Sequence, residues 1–160
     1  MRLPNRKPGK YTFPTFDPHI TQGKLTELQD RLDSAEKKLP RAIREVQLYG
    51  ENGDFSENAE YQIAKGRLRG LNRSIEELRY QINHAVIIET PTNTQTVQIG
   101  HTVTVQMNGT DKKYTILGPT ETNPTAGVIS YLSPVGAALL GKKVGDTVLG
   151  YTVLAIDTFS

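Results

Sequence analysis

Two apolar series of equal length, one read forwards and the other backwards, constrain this chain more than any other feature. From Leu25 the apolar positions recur at alternating spacings of three and four, through Leu28, Leu32, Ala35, Leu39, Ala42 and Val46 to Tyr49. A second series repeats the pattern from Tyr61 through Ala64, Leu68, Leu71, Ile75, Leu78 and Ile82 to Ala85. That spacing is the heptad signature of a helix with one apolar seam. Paired in opposite directions, the position numbers of every couple total 110, from 25 with 85 to 49 with 61. An antiparallel hairpin requires a constant total, because each seam residue must meet a partner at its own height. The turn is then centred on Phe55, and the arm from Leu25 to Tyr49 should rise about 36 Å. Pro40 interrupts the first series and predicts a kink, since it removes a helical hydrogen bond and crowds the preceding turn. One stripe per helix buries little, so such a hairpin should stand out as a rod braced at its base.

The second half supplies the brace. After the polar stretch TPTNTQT (90–96) the apolar period drops to two. In IGHTVTVQM, Val103, Val105 and Met107 alternate with Thr102, Thr104 and Gln106, as in a half-buried strand. NGTD (108–111) predicts a hairpin turn, KKYTILG its return strand, and AGVISYL and TVLGYTVLAID further strands. SPVGAALLG predicts a short helix with Ser133 as N-cap, Pro134 in the first turn and Gly141 at the C-terminal end. The fold class expected is α+β: an antiparallel coiled-coil hairpin over 19–88, a linker over 89–97, and a small, mainly antiparallel domain over 98–160. Residues 1–18 carry prolines at 4, 8, 14 and 18 with Arg2, Arg6, Lys7 and Lys10, and predict a flexible basic arm.

Charge is arranged in blocks. The chain's net charge of +2 predicts no strong whole-molecule attraction to nucleic acid or membrane. Residues 45–64 nevertheless hold Glu45, Glu51, Asp54, Glu57 and Glu60 with no base, and residues 65–73 hold Lys65, Arg67, Arg69 and Arg73 with no acid. The absence of cysteine excludes disulfides and thiolate chemistry. No apolar run approaches the roughly 20 residues that span a bilayer. With no secretory h-region either, a cytoplasmic location is expected.

The acids of GENGDFSENAEY (50–61) fall at the predicted tip. Asp54 followed three residues later by Glu57 reads as a capping box. It reads equally as a carboxylate pair about 5–6 Å apart on one helix face, suited to a share in one hard cation such as Mg²⁺. Two carboxylates are too few to hold that ion stably, so its other ligands would come from a partner. Lys65, Arg69 and Arg73 share a helical face just behind the tip, which is either a solvated face or a contact for RNA phosphates.

NGDFSENAEYQIAK resembles the tip signature of the bacterial transcript-cleavage elongation factors, the GreA/GreB family. ITQGKLTELQDRL resembles the family's opening helix, LPRAI its arginine-proline break, VQIGHTVTV the start of its C-terminal domain, and GVISYLSPVGAALLGKKVGDTV its most recognisable C-terminal run. The resemblance implies an FKBP-like C-terminal domain that docks at the rim of the RNA polymerase secondary channel through the run holding Ser133, Pro134 and Gly136. It implies that the hairpin passes down the channel, where Asp54 and Glu57 share Mg²⁺ with polymerase. The polymerase then cuts its own backtracked RNA 3′ end. Phe55, Ser56, Asn58 and Tyr61 fall on tip positions that support the pair. Phe55 in place of leucine, and Ile63 and Gly66 in place of the usual alanine and glutamate, depart from the pattern. The expected protein is a monomer that stimulates another enzyme's nuclease. The alternatives are a non-cleaving inhibitor that enters the same channel, or a prolyl isomerase. The isomerase reading is opposed by the few aromatics after residue 96.

Overall fold

The computed structural model of the chain describes residues 16–51 and 59–159. Contacts divide it into two compact units, one holding Phe16 and Thr26–His84, the other Asp17–Leu25 and residues 85–159.

The first unit is built on α1 (Gln22–Glu51) and α2 (Ala59–His84). Every fully buried residue on these helices is a predicted seam position: Leu28, Ala35 and Ala42 on one, Ala64, Ile75 and Leu78 on the other. The remaining seam positions are half-buried, whereas Leu48 and Ile63, off the seam, are exposed. Ala85 lies just past the end of α2, so the last member of the second series is not helical. α1 runs through Pro40 as one helix, because the seam continues on both sides and outweighs a single lost backbone bond.

Two ion pairs report the register: Arg67 to Glu45 at 2.9 Å and Arg79 to Glu36 at 2.7 Å, whose position numbers total 112 and 115. Both exceed 110 for one reason. Helical side chains lean toward their own N-terminus, so in an antiparallel pair they lean past each other and opposite charges meet at a higher total. The excesses correspond to about 3 and 7.5 Å of helical rise, which long arginine side chains cover.

The second unit contains a five-stranded sheet. Its strands are β3 (His101–Met107), β4 (Thr110–Leu117), β5 (Val128–Ser130), β6 (Thr147–Val148) and β7 (Tyr151–Thr158), in the order β5-β4-β3-β7-β6. All pairings are antiparallel except β4 with β5. Alternation on β3 buries His101, Val103 and Val105 and leaves Thr102 and Thr104 half-buried. Asn108 (φ 53°) and Gly109 (φ 77°) form the tight β3–β4 turn, both in the left-handed region that Asn-Gly tolerates. Val97, Val103, Val105, Ile116, Leu139, Val153 and Ile156 make the core, with α3 (Pro134–Leu139) supplying Leu139. His101 is buried but satisfied. Its Nδ1 accepts the Gln98 N–H (3.0 Å), so Nε2 carries the proton and faces the Pro91 carbonyl at 3.2 Å.

Two further strands carry no period-two signal: β1 (His19–Ile20) and β2 (Val86–Ile87) pair in parallel. Two residues are too short for a pattern. Ile20 is nonetheless completely buried. Among the described residues, no helix is long and apolar enough to cross a membrane.

Candidate functional site

Asp54, Phe55, Ser56, Glu57 and Asn58 belong to the connection between α1 and α2 and lie outside the described residues. Their flanks are described. Glu51 closes α1 and Glu60 opens α2, both exposed. Tyr61 is half-buried, and Lys65, one turn on, sets its Nζ 5.2 Å from the Tyr61 ring centroid. That i,i+4 cation–π contact orients both side chains on the first turns of α2. Among the described residues no group of three or more histidines, cysteines or acids could hold a metal ion. Asp54 and Glu57, the carboxylates expected to share Mg²⁺, lie outside those residues.

The basic series behind the tip does not present three equivalent free cations. Lys65 is engaged by Tyr61, and Arg73 Nε pairs with Glu77 at 3.2 Å. Arg67 pairs with Glu45, which also takes Arg41 Nε at 3.3 Å. Only Arg69 of the four is exposed with no ion pair or ring contact among the described residues. Helical spacing places 65, 69 and 73 on one face, but the acid one turn beyond Arg73 decides its partner. Exposed pairs of this kind contribute only about 0–1 kcal/mol.

Ser133, Pro134 and Gly136 are first of all the start of α3. The Ser133 Oγ accepts the Gly136 N–H at 3.1 Å and donates to the Ser130 carbonyl at 2.6 Å, and Pro134 occupies the first helical turn. A Cβ on Gly136 would stand 2.1 Å from the Ser130 oxygen, so only glycine lets the helix start this close to β5. Gly136 is buried and offers no contact surface. Pro134 and Leu132, the latter 65% exposed, do.

Sequence reasoning missed two carboxylates that hold the entry to α1. Thr21 is the N-cap, with Oγ1 accepting the Lys24 N–H at 3.2 Å. A capping box would place Glu or Gln at position 24, where lysine stands. Glu121 fills that role from a hundred residues away, its carboxylate accepting the Thr21 N–H (2.8 Å) and Oγ1–H (2.5 Å). The lysine at the box position is the signal that could have prompted a search for a distant acid.

Asp17 does similar work beside it. It accepts the Tyr131 O–H and the His19 N–H (2.9 Å), and His19 Nδ1 lies 2.8 Å away. Burial alone would raise the Asp17 pKa, but the hydrogen bonds from Tyr131 and His19 leave it below 3.8. The hydrogen bond to Asp17, then burial, push the Tyr131 phenol up to about 12.

The chain has relatives of known kind. Residues 19–87 match the family model described as transcription elongation factor, N-terminal, and residues 91–153 match that described as transcription elongation factor, GreA/GreB, C-term. The transcription elongation factor GreA of Treponema pallidum is 37% identical over 138 residues, covering 84% of this chain and 82% of that protein. That of Macrococcus caseolyticus is 37% identical over 132 residues, covering 81% and 84%. Among solved structures, GreA factor homolog 1 of Thermus thermophilus is 26% identical, covering 88% of this chain and 99% of that one, at a TM-score of 0.43.

Proposed function

The chain belongs to the GreA/GreB family of transcription elongation factors, and from that membership we propose that it enters the secondary channel of a bacterial-type RNA polymerase and stimulates cleavage of backtracked RNA. The observation that carries this reading is the D-x-x-E pair of NGDFSENAEY, which falls between two antiparallel helices. Glu51, Asp54, Glu57 and Glu60, at the end of α1, in the connection and in the first turn of α2, repel each other unless a cation or partner offsets them, and a single cap needs only two groups.

Asp54 and Glu57 present carboxylate oxygens toward the polymerase active centre, and Glu57 accepts a hydrogen bond from the attacking water. Mg²⁺, when held jointly with polymerase, supplies the Lewis acid that activates this water and stabilises the leaving oxygen. Phe55, Ser56 and Asn58 support the pair, and Tyr61 with Lys65 steadies the first turn beyond it. Arg69, with Arg73 and Lys65, contacts the phosphates of the nascent RNA 3′ end. The surface around Pro134 and Leu132 docks on polymerase. The factor acts as a monomer and hydrolyses nothing alone.

Asp54→Asn and Glu57→Gln separate this role from capping, because asparagine caps about as well as aspartate. Each variant should keep stability within about 1 kcal/mol, the scale of a cap. Each should also compete for polymerase as the parent does, and lose most stimulation of transcript cleavage on stalled complexes. Raised Mg²⁺ should partly restore activity by mass action. A double variant that cleaves like the parent would leave capping as the whole role of the pair. A parent that binds polymerase and slows elongation without cleavage would favour the inhibitor reading.

A further inference from the structure

Between the two interhelical ion pairs of the hairpin lies a cavity of about 490 Å³. It exists because the seam is thin there. Ala42 contributes one methyl group, and Gly70 presents bare backbone beside Leu71. A Cβ on Gly70 would meet nothing within 4 Å, so neither crowding nor a special backbone angle calls for glycine at this position. Around this apolar wall stand three cations, Lys38, Arg41 and Arg67, against one carboxylate, Glu45. The wall therefore carries two unbalanced positive charges.

Glu45 does not exhaust its partners. Arg41 is 82% exposed and held through one 3.3 Å contact, and Arg67 gives Glu45 a single N–H at 2.9 Å. A guanidinium has five donors, so both arginines keep several for another anion. The Glu45–Arg67 bridge also spans the helices at the tip-ward end of this open groove.

We propose that this groove binds a free nucleoside polyphosphate, with its phosphates on Lys38, Arg41 and Arg67 and its base against the Gly70–Leu71 wall. The volume lies within the roughly 300–1,000 Å³ of small-molecule sites. An apolar wall without side chain at Gly70 suits a flat ring, and the Ser74 hydroxyl at its border offers a polar contact to the sugar or base edge. A bare phosphate would use the cations and leave the wall empty. An extended strand would have to pass the bridge.

The test is isothermal titration of the full chain with GTP at low salt, without polymerase and without added divalent cation, so that the cleavage reading plays no part in its outcome. Saturable one-to-one binding tighter than about 1 mM is expected. Pyrophosphate should bind roughly tenfold more weakly, for want of a base to bury. Arg67→Gln and Lys38→Gln should each weaken GTP about fivefold, the loss of one charged contact. Gly70→Leu should abolish binding while helix content by circular dichroism is kept or raised. Absence of saturable heat overturns the proposal. Equal affinity for GTP and pyrophosphate, or GTP binding indifferent to Gly70→Leu, does the same. A short single-stranded RNA that outcompetes GTP through Lys38 and Arg67 would make the groove a polynucleotide track and also overturn it.

Discussion

Removing the Glu121 carboxylate should weaken the fold at a point a hundred residues away. In the structure this carboxylate accepts both the backbone N–H and the hydroxyl of Thr21, the N-cap of α1. Glu121→Gln keeps the length of the side chain but replaces one acceptor oxygen with a donor. The Thr21 hydroxyl must then turn its proton away or lose its bond to the Lys24 N–H. A hydrogen bond to a charged group contributes about 1.5–3 kcal/mol against about 0.5–1.5 for a neutral one. The difference, roughly 1–2 kcal/mol, is the expected cost of Glu121→Gln. Glu121→Ala should cost about 3 kcal/mol, because the Thr21 N–H is then left unpaired in a half-buried position and the anion near the helix N-terminus is gone. The assay is urea unfolding followed by far-ultraviolet dichroism, run as a double-mutant cycle with Thr21→Val. A coupling energy of about 1–2 kcal/mol is expected, since the two residues act as one unit. A coupling below about 0.5 kcal/mol, the size at which independent sites add, would refute the distant cap.

Two other perturbations bear on the same unit. The Tyr131 phenol is held protonated up to about 12, above its ordinary 10. The stability it contributes is therefore complete below pH 10 and lost as pH climbs from 10 toward 12. Asp17 has the opposite sense: its depressed pKa contributes stability above 3.8 that is lost as pH falls through the folded value. Denaturation midpoints across both windows should show these losses, and Tyr131→Phe should flatten the alkaline one. An unchanged alkaline slope in that variant would sink the assignment. Separately, Leu149 and Gly150 turn β6 into β7 at φ 49° and 81°, so an exposed leucine occupies a left-handed position. Leu149→Asn should raise stability by about 1 kcal/mol and Asn108→Leu, in the matching β3–β4 turn, should lower it by about as much. A Leu149→Asn variant less stable than the parent in thermal unfolding would show that the leucine is held by contacts that outweigh its backbone cost.

The features that were legible in the sequence are those carried by residues close together along the chain. The heptad spacing anticipated the stripe on which all six buried side chains of α1 and α2 fall, though not which of its sixteen positions they are, because burial on a two-helix seam repeats every three or four residues. Asn108-Gly109 marked its turn and Ser133-Pro134 its helix start, because these residues solve local backbone problems. What stayed illegible was long-range or too short to have a period. β1 and β2 are two residues each and pair across more than sixty positions. Glu121 ends a single 3-10 turn (Pro119–Glu121) and Tyr131 follows a three-residue strand. Nothing near them in sequence says that their partners are Thr21 and Asp17.

The candidate site divides along the same line, with one difference of kind. For the arginines, spacing identified a shared face but not which charges are already neutralised, since Glu45 reaches Arg67 from the other helix. For Asp54 and Glu57 the ambiguity is chemical. A capping box and a cation pair ask for the same two carboxylates at the same spacing, so position does not distinguish them. The distinction lies in what each role needs from the oxygen. A cap needs a lone pair, which an amide also has, whereas a share in Mg²⁺ needs negative charge, which the amide lacks. Neutral isosteres at 54 and 57 therefore carry more information about this factor than any truncation of its tip.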